Sequence, residues 1–255
     1  MQFRPTRHSS FRPAPQAGPT LTPFDGILLV DKPAGFTSSD IVNIVRGRLR
    51  LRHVGHGGTL DPGATGLLVL LLGHATALSD RVMGGEKVYE GTLRLGASTN
   101  TQDSDGEVTE TGDPSGITEE RLRETLAAFR GDQYQTPPMV SAVKINGVPL
   151  YKLARRGEEV ERKPRFIHVH DFDIVSFGVP DTRVRVRCSK GTYIRTLCHD
   201  VGERLGCHAH LHGLRRLRSG KFEVTDALPG ELLKTLPAEE IAARIVPYMK
   251  AVQTL

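Results

Sequence analysis

His56 to Gly73 reads HGGTLDPGATGLLVLLLG, a glycine-dense loop running straight into six apolar residues, Leu67 to Leu72. An unbroken apolar run of that length, bounded by glycines, predicts a strand buried on both faces. The loop before it, with Gly55, Gly57, Gly58, Gly63 and Gly66, carries one carboxylate, Asp61. Asp61 therefore sits on a loop anchored in a core, which is how a scaffold presents a reactive group. The competing reading is structural: Asp-Pro opens turns and caps helices, because the carboxylate accepts from backbone N–H groups two or three residues on. Two chemical alternatives are weak. The loop lacks the Gly-Lys-Ser/Thr ending of a phosphate-binding P-loop. A glycosidase needs two facing carboxylates, and Asp61 is the only acid between Arg46 and Leu78.

Upstream, Gly26 to Val30 reads as a short buried strand ending at Asp31-Lys32-Pro33. Thr37, Ser38 and Ser39 offer an N-cap for a helix over Asp40 to Leu51, with Ile41, Ile44, Val45 and Leu49 at helical spacing. Downstream, a helix is expected from about Ala75 to Val82 and a strand over Val88 to Leu95, with Tyr89 near its start. The acidic, turn-rich segment Thr99 to Asp113 reads as a surface loop. Leu122, Leu126 and Phe129 predict a helix over Ile117 to Phe129, capped by Thr118 and ended by Gly131. Phe166 to Phe177 and Thr182 to Cys188 read as two antiparallel strands, the second with Val184, Val186 and Cys188 on one face and Arg183, Arg185 and Arg187 on the other. A helix from Thr192 to about Leu205 ends at Gly206, a further strand covers Leu211 to Arg218, and residues 229–255 form a short, mostly helical tail.

Residues 133–165 break this rhythm. Pro137-Pro138 is followed by Asn146-Gly147, a hairpin signal, and by Lys144, Lys152, Arg155, Arg156, Arg162, Lys163 and Arg165 against Glu158, Glu159 and Glu161. Charge runs on loops are usually solvated faces, yet seven cations on one excursion also suit phosphate gripping. Over the whole chain Lys and Arg exceed Asp and Glu by 34 to 29, a net charge of +5 that is compatible with a polyanionic partner without proving one. Residues 1–24 contain Arg4, Arg7 and Arg12, five prolines and no acid. Such a segment cannot bury enough to order itself, so a solvated basic arm is expected; its composition also resembles an organellar transit peptide, although the prolines spoil an amphipathic helix. Three cysteines and the absence of a secretory signal point to a reducing cytosol and against disulfides. The longest apolar run is too short to span a bilayer. Cys198, His199, Cys207, His208, His210 and His212 cluster in sequence, but a helix splits the cysteines and the histidines lack the tight paired spacing of zinc ligands, so no metal is expected.

Gly55 to Gly66, GHGGTLDPGATG, resembles the signature of the TruB family of tRNA pseudouridine synthases, with Gly57 where the family usually has Thr. Four further matches stand in register: Asp31-Lys32-Pro33, Lys87-x-Tyr89, Lys190 to Arg195 (KGTYIR) and Leu214-Arg215-Arg216. The resemblance covers about Asp25 to Asp226. It implies an α/β fold with a mixed, largely antiparallel central sheet flanked by helices, a catalytic domain over 25–228, and 133–165 as an RNA-clasping loop. The implied enzyme is an isomerase of the T-loop uridine of tRNA, position 55 in tRNA numbering. It would work as a cytoplasmic monomer without cofactor or guide RNA.

The resemblance gives Asp61 the catalytic role and sets Arg195 against it, where an adjacent guanidinium would lower the Asp pKa and keep the carboxylate charged. It has Tyr89 stack on the uracil, Tyr193 and Leu214 line the pocket, His56 help displace the target nucleotide and Lys32 brace the loop. Lys144, Lys152, Arg155 and Arg156 would hold RNA backbone. Residues 229–255 are too few for the PUA-type RNA-binding domain that many relatives carry. Two alternatives stay open: a guide-dependent synthase of the dyskerin kind, and an RNA-folding chaperone in which catalysis is incidental.

Overall fold

The computed structural model describes residues 21–255, apart from residues 142, 146, 155 and 159, with residues 144 and 151 described by backbone alone. All but the last four residues of the expected basic arm thus lie outside the described residues. So do Asn146 of the expected hairpin turn, Arg155 and the side chain of Lys144.

Strand β1 (Gly26–Lys32) leads to helix α1 (Ser38–Arg48) and strand β2 (Val54–His56), and the Asp61 loop joins β2 to β3 (Thr65–Leu72). A 3₁₀ turn over Gly73–Leu78 and helix α2 (Ser79–Gly84) precede β4 (Lys87–Leu95). A small hairpin of β5 (Ala97–Thr99) and β6 (Val108–Thr111) is followed by α3 (Glu119–Ala127) and β7 (Gly131–Gln135). Inside the insertion, β8 (Lys144–Ile145) pairs with β9 (Val148–Pro149) and runs into α4 (Leu150–Ala154). Strands β10 (Arg165–Ser176) and β11 (Asp181–Cys188), helix α5 (Ile194–Leu205) and strand β12 (Ala209–Ser219) complete the centre. Short pieces follow: β13 (Phe222–Glu223), β14 (Leu228–Pro229), α6 (Ala238–Ala242), β15 (Val246–Pro247) and α7 (Tyr248–Thr254).

The main path of the sheet is β14-β1-β3-β12-β4-β11-β10-β7. Its pairings are antiparallel except β3 with β12 and β1 with β14, so the expected mixed, largely antiparallel sheet is present. β3 lies between β1 and β12, and Leu67 to Leu72 are all buried, as an uninterrupted apolar run predicts. Even residues of β3 face α1 and odd residues face α2 and α7, in two separate apolar clusters. Six aliphatic side chains buried at about 1.5–3 kcal/mol each anchor the C-terminal end of the Asp61 loop against any strain the loop carries.

α1 starts where Thr37 and Asp40 form a reciprocal capping box, with Asp40 N donating to Thr37 Oγ1 at 3.0 Å and Thr37 N donating to Asp40 Oδ2 at 2.8 Å. α5 ends at Gly206, whose φ of +76° suits glycine, but it begins one residue after Tyr193; the hydroxyl of Thr192 turns back to Ser189 O instead of capping. The arginine face of β11 is exposed while Val184, Val186 and Cys188 pack beneath α3 and α5.

Two expectations need correction. The segment from Thr99 to Asp113 is not a free surface loop: it holds the β5–β6 hairpin and tucks Asp103 against the sheet, where it bridges to Leu211. The tail is more than helical, since β15 pairs with Gly26 and Ile27 of β1, and Leu233, Ile241 and Ala251 are buried in the two cores beside β3. Among the described residues, no helix is long and apolar enough to cross a membrane.

Candidate active site

The Asp61 loop is held by its backbone from three directions. On one flank, Lys32 is wholly buried and its Nζ donates to Pro33 O at 2.9 Å, Phe36 O at 2.7 Å and Pro62 O at 3.2 Å. From α1, Ser38 exchanges two hydrogen bonds with Leu60: Leu60 N donates to Ser38 Oγ at 2.8 Å, and that hydroxyl donates to Leu60 O at 3.1 Å. On the other flank, Arg216 of β12 donates to Gly58 O, Thr59 O and Leu67 O. β12 approaches this closely because Gly66 has no side chain; a Cβ there, at φ +97°, would lie 2.3 Å from Arg216 O.

The Asp61 carboxylate is left to face Arg195, whose Nε lies 3.1 Å from Oδ2. Asp61 opens a turn through its carbonyl, to which Ala64 N donates at 3.1 Å, while among the described residues no backbone N–H bonds its carboxylate. Arg195, 4% exposed at the start of α5, spends its other nitrogens on carbonyls, Nη1 to Thr101 at 3.0 Å and Nη2 to Val140 at 2.7 Å. The pairing with Asp61 is therefore single-pronged and held in place from behind. A second carboxylate, Asp103, stands 3.5 Å from Arg195 Nε.

The electrostatics correct a further expectation. Burial raises the Asp61 pKa; Arg195 pulls it down by charge and hydrogen bond, but Asp103 and Asp105 push it up again. The net direction is upward, not downward. Water still reaches Asp61 from the cleft, where 46% of its side chain is exposed, so burial alone overstates the penalty on its charge. A raised pKa makes the carboxylate a stronger base once ionised. Burial also brings Lys32 down to about 8, with Asp61 pulling it up and Arg216 pushing it down.

A cleft of about 60 Å³, open to solvent, is lined by Asp61, Ala64, Asp103, Ser104, Arg195 and Leu214 among others. Asp61, Arg195 and Leu214 are thus brought together. Tyr89 is not on the cleft wall: half-buried in β4, it stands opposite Val186 and Arg216 and joins the cores of the two halves of the sheet. Burial pushes its phenol up, against the pull of Arg216 beside it. Tyr193 is not on the cleft wall either: its backbone is clamped by Gln135, which accepts from Tyr193 N at 2.8 Å and donates to Tyr193 O at 3.0 Å. His56 is half-buried at the end of β2 with Nδ1 unpartnered; burial, then Arg216, lowers its pKa and keeps the ring neutral. Lys152 is exposed on α4, and Arg156 is exposed with Glu158 3.9 Å away.

The zinc-like sequence cluster does not assemble. The three cysteines are free and buried, and of the six residues only His208 belongs to a ligand-like group among the described residues, with Glu110 and Glu203. Sequence reasoning missed Asp103, hidden in a segment whose acidity reads as solvation. It also assigned no task to Arg216 or Gln135.

A family model described as TruB family pseudouridylate synthase (N terminal domain) matches residues 46–194, and one described as tRNA pseudouridylate synthase B C-terminal domain matches residues 195–253. A protein named tRNA pseudouridine synthase B from Opitutus terrae is 51% identical over 231 residues, 91% of this chain and 96% of that protein. One of the same name from Syntrophotalea carbinolica is 49% identical over 85% of this chain and 71% of its own length. Among solved structures, a chain of a Cbf5-Nop10-Gar1 complex is 29% identical with a TM-score of 0.69; the match covers 91% of this chain and 63% of that one.

Proposed function

The chain belongs to the TruB family of pseudouridylate synthases, and on that premise we propose that it converts a T-loop uridine of tRNA to pseudouridine with Asp61 as the catalytic carboxylate. The observation that carries this reading is a carboxylate at the mouth of a cleft, fixed by its backbone on both flanks and nearest to the buried Arg195, with Asp103 standing farther off on the same guanidinium. The reaction breaks the C1′–N1 bond of uridine and joins the same base through C5. It moves no electrons to a cofactor and no group to a second substrate, so one positioned carboxylate and a place to hold the detached base suffice. Attack on C1′ and removal of the 2′ hydrogen both use an ionised carboxylate at the same place.

The target base is flipped out of the RNA at a cost of a few kcal/mol, and stacking on an aromatic returns about 1–3 kcal/mol; Tyr89 lies off the cleft wall, so it meets the base only as Leu214, packed on the same cores, moves aside. Neutral His56 adds an uncharged ring to the displacement of the nucleotide, and the exposed cations of the insertion, Lys152 and Arg156, meet phosphates, with Lys144 and Arg155 on the same excursion.

The likeness to the Cbf5 complexes favours a second reading, an enzyme working inside a ribonucleoprotein. Purified protein incubated with unmodified tRNA and no added RNA separates the two. Pseudouridine mapped to the T loop supports the proposal; conversion that appears only with a guide RNA overturns it.

A further inference from the structure

Two adjacent arginines of β12 have opposite fates. Arg215 is bidentate to Asp31, at 2.9 and 2.6 Å, on the rim of the sheet. Arg216 is 2% exposed, and among the described residues no carboxylate pairs with it. Its nitrogens go chiefly to backbone, Nη2 to Gly58 O at 3.0 Å, Nη1 to Thr59 O at 3.3 Å and Nε to Leu67 O at 2.7 Å, with the Tyr89 phenol beside it as a side-chain partner. A buried cation without a counter-charge is a poor device for stability, since an apolar side chain of like volume serves a core as well or better. The acceptors say what the charge does there. Gly58 and Thr59 precede Asp61, Leu67 follows it, and Lys32 holds Pro62 O from the opposite side. A planar guanidinium with donors in fixed directions sets the separation of these carbonyls.

We propose that Arg216 is a positioning residue for Asp61, clamping the carbonyls on both sides of the loop so that the rate of the chemical step, and not tRNA affinity, depends on it. The inference rests on the assignment of Asp61 above. The charge has a second, local effect in the same direction: it helps keep His56 neutral and opposes the rise of the Tyr89 phenol.

The test uses Arg216→Lys and Arg216→Gln in the full chain, with single-turnover rate and KM measured on unmodified tRNA and the His56 ring titrated by NMR. Lysine keeps the charge, but its single ammonium cannot stand in the three separate places of Nε, Nη1 and Nη2, so its rate falls about tenfold or more; glutamine loses both and falls about a hundredfold or more, with KM within about threefold in each case. Arg216→Gln raises the His56 pKa and Arg216→Lys does not, which shows that the charge is lost in one variant and kept in the other; the positioning role is read from the rate falling while KM holds. The inference is overturned by rates within about threefold of wild type, by a loss that appears in KM alone, or by failure of both variants to fold, which is what a purely structural arginine predicts. A wild-type protein inactive on tRNA overturns the functional reading, and this inference with it; an active wild type with unaffected variants overturns the inference alone.

Discussion

Replacing Arg195 by Lys keeps the charge beside Asp61 and removes the geometry. The guanidinium serves three directions: Nε toward Asp61, Nη1 to Thr101 O and Nη2 to Val140 O. One ammonium that stays with Asp61 leaves both carbonyls without their donor. A hydrogen bond from a charged donor contributes about 1.5–3 kcal/mol, and at 4% exposure little water replaces it. Two such losses come to about 3–6 kcal/mol. At roughly 2–4 °C per kcal/mol for a chain of this size, Tm falls by about 6 °C or more. The rate also acquires a signature. Arg195 opposes burial at Asp61 both by charge and by hydrogen bond; weakening the hydrogen bond lets the Asp61 pKa rise further, so the acidic limb of kcat/KM on tRNA moves to higher pH. Thermal denaturation and a pH–rate profile read the two effects. A Tm within about 2 °C of wild type together with an unmoved acidic limb would show that Arg195 neither braces these carbonyls nor tunes the carboxylate.

Asp61→Asn should leave Tm unchanged or higher at neutral pH. The folded-state pKa of Asp61 is raised, so its contribution to stability is present when it is protonated and lost as pH rises through that pKa; denaturation of both proteins across the carboxylate range should show the gap opening with pH. Asp103→Asn removes a negative charge 3.5 Å from Arg195 that pushes Asp61 up, so the acidic limb should move to lower pH, and an upward move would contradict the assignment. Changing Lys152 and Arg156 to Ala should weaken tRNA binding and reduce the slope of log Kd against log salt by about 0.7–0.9 for each phosphate that the insertion no longer neutralises. An unaltered slope would mean that the insertion is only a solvated face.

Much of this was legible because it is local. The run Leu67 to Leu72 allows only a buried strand, and Thr37 with Asp40 writes its own helix start. The alternation of Arg183, Arg185 and Arg187 with Val184 and Val186 records which face of β11 meets helices. What escaped depends on how distant segments meet. Nothing in the acidic run around Asp103 says that it folds back to within reach of Arg195, because sequence alone does not separate a carboxylate that meets solvent from one that meets a guanidinium. The direction of the Asp61 pKa was missed for the same reason: one favourable neighbour was visible from motif order, while burial and the two opposing carboxylates appear only in three dimensions. Arg216 sits beside Arg215 in an otherwise ordinary strand, and only the parallel join of β12 to β3 reveals that it points inward to the loop.

If one carboxylate performs the chemistry while other groups hold it and the RNA, then turnover and binding must come apart at Asp61. Single-turnover conversion of unmodified tRNA by wild type and Asp61→Asn, with binding of the same tRNA measured alongside, reads both. Wild type should yield T-loop pseudouridine and Asp61→Asn none. Their tRNA affinities should lie within about threefold of each other, since asparagine keeps the shape and removes the reactive charge. Conversion by Asp61→Asn within about tenfold of wild type would contradict the assignment of the chemistry to this carboxylate.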